Sequence, residues 1–195
     1  MAIADDFEIQ NDRQNGDNMN SAKLHDKLGY HPVWTIRRYA DDEAFRRNES
    51  SPVVGGDGEL LDAVSIIKGN LLLNEGIAVL LDLACALATP TAFSNGAAYI
   101  GVGDSVTAAG ATQTGLQAST NKLYKAMATS YPSRSAQTVT WRSVFGSSEG
   151  NYAWAEFTVA NGNSDSAANL NRLVSAQGTK ASGQTWTVDL AITLS

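Results

Sequence analysis

A lone cysteine, Cys85, excludes any disulfide within the chain. Its setting in LDLACALA reads as a small buried hydrophobe. The two histidines, His25 and His31, flank Asp26 in KLHDKLGYH, and no C-x-x-C or H-E-x-x-H occurs. That spacing is not a zinc arrangement, so no metal centre is expected. Charge is scarce: Asp, Glu, Lys and Arg make up 17% of the chain, against roughly 25% in ordinary soluble proteins. The net charge of −6 and the lack of a basic stripe argue against direct nucleic-acid binding. No run approaches the roughly 18 uninterrupted apolar residues of a membrane span. The opening MAIADDF lacks the basic and apolar regions of a signal peptide.

Catalytic patterns are equally thin. GVGDS, from Gly101, lacks the third glycine of a dinucleotide fingerprint, and no G-K-[ST] follows any glycine-rich loop. There is no G-x-S-x-G elbow, and both histidines lie far from the body's serines. Glu149 and Glu156 are seven residues apart, so on one strand they would face opposite ways and make a poor glycosidase pair. We therefore expect no catalytic, cofactor or metal residues, and a protein that is not an enzyme.

What the chain does have divides in two. Residues 1–62 carry 13 acidic against 7 basic residues, and residues 63–195 carry seven of each. DRQNGDNMNS is too polar to bury much area. KLHDKLGYHPVWTIRRY offers apolar residues, with only partial alternation from Val33 to Tyr39. SPVVGGDGE has the proline and glycine content of a linker. Residues 1–58 thus read as an extended N-terminal arm and linker, and residues 59–195 as the body.

In the body, Leu61, Val64, Ile67, Leu71, Leu72 and Ile77 are roughly helically spaced. They predict helices near 59–68 and 74–88, with Asn74 as a cap for the second. That second helix is apolar on most sides, as suits burial between a sheet and another surface. A further helix is expected around 114–128. Strands follow in AAYIGVG, QTVTWRSVFG, YAWAEFTVA and NLNRLVSA. The clearest is QTWTVDLAITLS, where Trp186, Val188, Leu190, Ile192 and Leu194 share one face. In YAWAEFTVA, strict alternation would put Tyr152, Trp154, Glu156 and Thr158 together. Glu156 then needs a rim position or an arginine partner, Arg142 or Arg172. The expected fold is α+β: a small antiparallel sheet or sandwich-like body packed with one to three helices, preceded by the arm.

Taken in order, NEGIAVLLDL, TPTAFSNGAAYIGVGDS, TQTGLQASTNKLYKAM, TVTWRSVFGSSEGNYAWAEFTVAN and the closing NRLVSAQGTKASGQTWTVDLAITLS form a familiar set. Over about residues 70–195 the chain resembles a family of small tailed-bacteriophage virion structural proteins. More distantly it is similar to the baseplate-attachment module of phage tail fibre proteins. Gly101, Gly103 and Asp104 match the loop, Gln113 and Leu116 the turn and its apolar anchor. Glu149, Trp154 and Glu156 match the late strand, and Asn171 and Arg172 the segment before the end. FTVAN departs from the Gly-Leu-Phe-like run of the tail fibre form, and no shaft or tip follows the module.

The resemblance implies a non-enzymatic virion component, made in the bacterial host cytoplasm, that docks onto a tail, baseplate or tail-fibre attachment. Its partners would be other virion proteins and symmetric copies of itself. Capsid decoration, as in a head fibre, is the alternative. A host-surface or glycan-binding module is another, carried by Trp34, Tyr99, Tyr131 and Tyr152. Structural or interface roles are expected for Trp34, Tyr99, Gly101, Gly103, Asp104, Leu116, Trp141, Glu149, Trp154, Glu156, Arg172 and Trp186.

Overall fold

The computed structural model describes residues 28–195. One five-stranded antiparallel sheet has the order β4 (Val64–Lys68), β1 (Tyr30–Tyr39), β12 (Thr185–Leu194), β9 (Thr138–Phe145), β8 (Ser133–Ser135). The other has the order β5 (Leu71–Leu72), β11 (Asn171–Val174), β10 (Glu156–Ala160), β6 (Tyr99–Gly103), β7 (Lys122–Ala126). A small hairpin joins β2 (Val53–Val54) to β3 (Leu60–Leu61). Two helices complete the described residues, α1 (Asp42–Arg46) and α2 (Asn74–Cys85). The body is therefore sandwich-like, with far more strand than the sequence reading allowed.

Both sheets send alternate side chains into one core, as period-two strands must. Trp34 and Ile36 come from β1, Val188 and Leu190 from β12, and Ile100, Val102, Phe157 and Val159 from β6 and β10. Trp154 sits where the sheets meet, edge-on to Phe145 and Trp186 with ring centroids 4.8 Å away in each case. Trp186 is fully buried on the apolar face of β12, as its alternation predicts. The guanidinium of Arg38 lies 4.7 Å over its ring.

Four expectations need correction. Residues 30–58 are not an arm. β1 pairs with β12 along its whole length and with β4 on its other side, so it is an interior strand. The turn of the β2–β3 hairpin is pinned rather than free: Gly56 N–H donates to Thr179 O, and Thr179 Oγ1 donates to Asp57 Oδ2. Leu24, His25, Asp26 and the polar opening lie outside the described residues.

Residues 59–68 are strands, not helix. The i, i+3 spacing of Leu61, Val64 and Ile67 is overridden by the pairing of β4 with β1, and Gly69 at φ 89° turns the chain after it. Nor is 114–128 a helix. Gly115 at φ 68° breaks it, and β7 pairs instead with β6 in the register Gly101↔Tyr124. Finally, alternation fails at Trp154. Its N–H donates to Gly178 O while that of Ala155 donates to Gly103 O, so β10 begins only at Glu156. Trp154 can then enter the core beside Phe157 rather than follow Glu156 to the opposite face.

Candidate functional site

Two neighbouring features stand out, one of buried charge and one of exposed leucine. The first lies on the face of β10 turned away from the core. Glu156 and Arg172 there are both fully buried, their charged groups 2.7 Å apart. Glu156 Oε2 accepts from Arg172 Nε and Gln117 N–H at 2.9 Å each, and Oε1 accepts from Ala118 N–H at 2.7 Å. Arg172 Nη1 donates onward to Thr107 O at 2.8 Å and to Gln113 Oε1 at 3.0 Å. Gln113 closes its own loop, accepting from Gly110 N–H and donating to Ala108 O. One ion pair therefore clamps residues 107–118 onto the sheet.

The glycines of β6 make room for this clamp. A Cβ on Gly103 would sit 2.5 Å from Glu156 Oε1, and one on Gly101 would meet Thr158 and Tyr124 at 2.8 Å. Leu116 is buried at the loop's tip, where its N–H donates to Tyr124 Oη at 3.1 Å. Burial, reinforced by Asp165, raises the Tyr124 phenol above its ordinary pKa, so it stays a neutral donor to that carboxylate. Gly101, Gly103, Gln113, Leu116, Glu156 and Arg172 thus converge as one unit. A carboxylate has about four lone-pair sites, and donors on both oxygens leave Glu156 no free base to offer a substrate.

The other sequence candidates are dispersed. Asp104 Oδ2 accepts from Asn121 Nδ2 at 2.8 Å, so a side chain rather than the turn's backbone holds it. Glu149 bonds Lys125 at 2.5 Å and Gly146 N–H at 2.9 Å. Burial would raise its pKa, but these two partners outweigh it and lower it overall. Arg142, the other partner considered for Glu156, instead holds Asp189 together with Arg37. Trp34 is wholly buried, which removes it from any sugar-binding surface, and Tyr152 donates to Val102 O. Tyr131 lies under Arg142, and Tyr99 starts β6 half-buried. Trp141 Nε1 donates to Phe93 O at 3.1 Å. His31 Nε2 lies 3.0 Å from Ser195 Oγ.

Sequence reasoning missed two buried cations. Arg38 is enclosed by Asp62 O, Ser65 Oγ and Gln177 O, and Lys180 Nζ donates to Gly146 O and Asn151 Oδ1. Burial pulls the Lys180 pKa down to about 8, although Glu149 and Asp42 oppose the shift. Nothing in the local sequence distinguishes these two from surface residues.

The second feature is α2. Its first turn holds it to the body. Asn74 N–H donates to Ala111 O, and Glu75 Oε1 accepts from Asn169 N–H and Nδ2. The N-cap is Leu73, not Asn74, and no side chain caps the helix. Gly76 allows the close seat: a Cβ there would meet Leu170 O at 2.4 Å. Only Gly76 and Val79 of this helix are buried. Leu80, Leu81, Leu83 and, just beyond the helix, Leu87 are exposed, Leu81 by 56% and Leu87 by 75%. Cys85 is also exposed.

Of the expected burial between a sheet and another surface, the described body supplies one side, at Gly76 and Val79. Between α2 and the ends of β1, β9 and β12 lies a groove of about 510 Å³. Ile77, Leu81, Trp141, Ile192 and Leu194 line it, and among the described residues no charged side chain does. The signal was present in LLDLACAL, but apolarity alone does not say which body covers it.

Among the described residues no three His, Cys, Asp or Glu side chains gather as a metal site, and no helix is long and apolar enough to cross a membrane. No protein-family model, curated protein or solved structure matches the chain.

Proposed function

We propose that this protein is a non-enzymatic structural component of a tailed-phage virion, a tail, baseplate or tail-fibre-attachment protein that docks onto a larger assembly. The apolar face around α2 is the observation that carries the reading. Contiguous exposed leucines on an otherwise well-packed body mark an interaction surface, because leaving them in water forfeits roughly 25 cal/mol per Å². Among the described residues the wall of the groove carries no charge. On this reading the partner is an apolar surface of a neighbouring virion subunit that covers the exposed leucines outside the groove, Leu83 and Leu87, ringed by polar contacts.

The clamp supports the same reading. It commits the fully buried carboxylate of Glu156 to holding a loop rather than to chemistry. Function follows from such surfaces rather than from the sandwich itself. Immunogold labelling and mass spectrometry of purified particles test the proposal: the protein should be a stoichiometric particle component. Its absence from purified particles would sink the idea.

A further inference from the structure

The groove beside α2 needs an occupant, and the chain holds a candidate at its rim. Leu28, the first described residue, is itself a wall of the groove. The next residue is fixed there by two backbone bonds, Gly29 N–H to Ser195 O at 2.5 Å and Ser195 N–H to Gly29 O at 3.1 Å. The described chain therefore begins at the rim of the groove, and residues 1–27 are joined to it there.

Their sequence suits the site. Leu24 is four residues before Leu28, within about 14 Å of it even on a fully extended chain. Ile3, Phe7 and Ile9 form a second apolar cluster, separated from Leu24 by the polar run NDRQNGDNMN. We infer that residues 1–27 fold back on their own chain and fill the groove between α2 and the ends of β1 and β12, with Leu24, Phe7 and its two isoleucine neighbours as anchors.

The tether favours this occupant over a second copy of the protein. A segment attached at the rim is present at an effective concentration on the order of millimolar, whatever the protein concentration. The uncharged wall selects the apolar residues of the segment and leaves Asp5, Asp6 and Glu8 to solvent. The inference deepens the docking reading by assigning the groove side of α2 to the chain itself. Leu83 and Leu87, which are exposed and do not line the groove, remain for the neighbour.

The native cysteine provides the test. Cys85 is exposed, is the sole thiol, and follows Ala84 and Leu81 of the groove wall. Benzophenone maleimide on Cys85 of the full chain, irradiated at low concentration, should cross-link within residues 1–27 of the same molecule. An equal mixture of nitrogen-15 and unlabelled protein should give few mixed adducts. Adducts to a second copy, adducts confined to residues 28–195, or none at all would overturn the inference.

A second measurement uses the full-length double variant Phe7→Ser, Leu24→Ser. Binding of anilinonaphthalene sulfonate should rise several-fold with an unchanged far-ultraviolet spectrum; unchanged dye binding would count against the segment. Both readouts use the isolated protein, so they stand or fall independently of whether it is found in particles.

Discussion

The outer face of β10 and the face of α2 invert the usual distribution of residues. Around β10 a carboxylate and a guanidinium are buried, and around α2 leucines are exposed. Charged groups are almost never fully buried without partners, and the clamp supplies those partners within one chain. The leucines are different. Their hydration cost is not relieved by the described body, which buries only Gly76 and Val79 of α2. A buried charge satisfied internally makes a fold specific. An apolar face left unsatisfied by the described body makes it adhesive.

The largest test of this contrast is to break the clamp. Glu156→Ala leaves Arg172 buried without its counter-charge and frees the N–H groups of Gln117 and Ala118. We expect a loss of about 3–5 kcal/mol in urea denaturation. The double variant Glu156→Leu, Arg172→Met should recover part of it, since removing both charges is often neutral. A single-variant loss under about 1 kcal/mol would mean that the loop holds itself.

Lys180 gives a smaller effect with a definite pH window. Its folded pKa is about 8, below the 10.5 of an ordinary lysine, chiefly because burial disfavours the ammonium. Below pH 8 both the folded and unfolded forms carry the proton, and the folded state bears the full cost of burying it. Between about pH 8 and 10.5 the unfolded chain binds more protons, so stability should rise with pH. Relative to Lys180→Met, the wild type should gain about 1–3 kcal/mol across that window. A constant difference between the two, measured by denaturation at several pH values, would show that the ammonium is solvated.

The exposed face should respond least in stability and most in association. Leu83→Ser and Leu87→Ser should each stay within about 0.5 kcal/mol of wild type. Together they should reduce incorporation into particles, measured by quantitative mass spectrometry. A large fall in melting temperature would instead place these leucines in a core.

Particular strands show how much was legible beforehand. β12 could be read directly, because Trp186, Val188, Leu190 and Ile192 repeat every second residue and one face of that strand is wholly apolar. β4 could not, since VSIIK fits either period and only its pairing with β1 decides between them. β1 looked like part of an arm because its alternation is partial. Its Arg38 is buried in the body and held by backbone carbonyls from distant loops.

Composition and local pattern by themselves determined the strands β9 to β12, the core role of Trp186, and the need of Glu156 for an arginine. Those are local or pairwise demands, written in alternation and in the cost of burying charge. Tertiary structure alone decided that Arg172 rather than Arg142 answers Glu156, that Trp154 leaves its strand's alternation for the core, and that the apolar helix keeps its leucines outside. Each depends on which distant segment arrives alongside, and residue spacing along a chain carries no record of that.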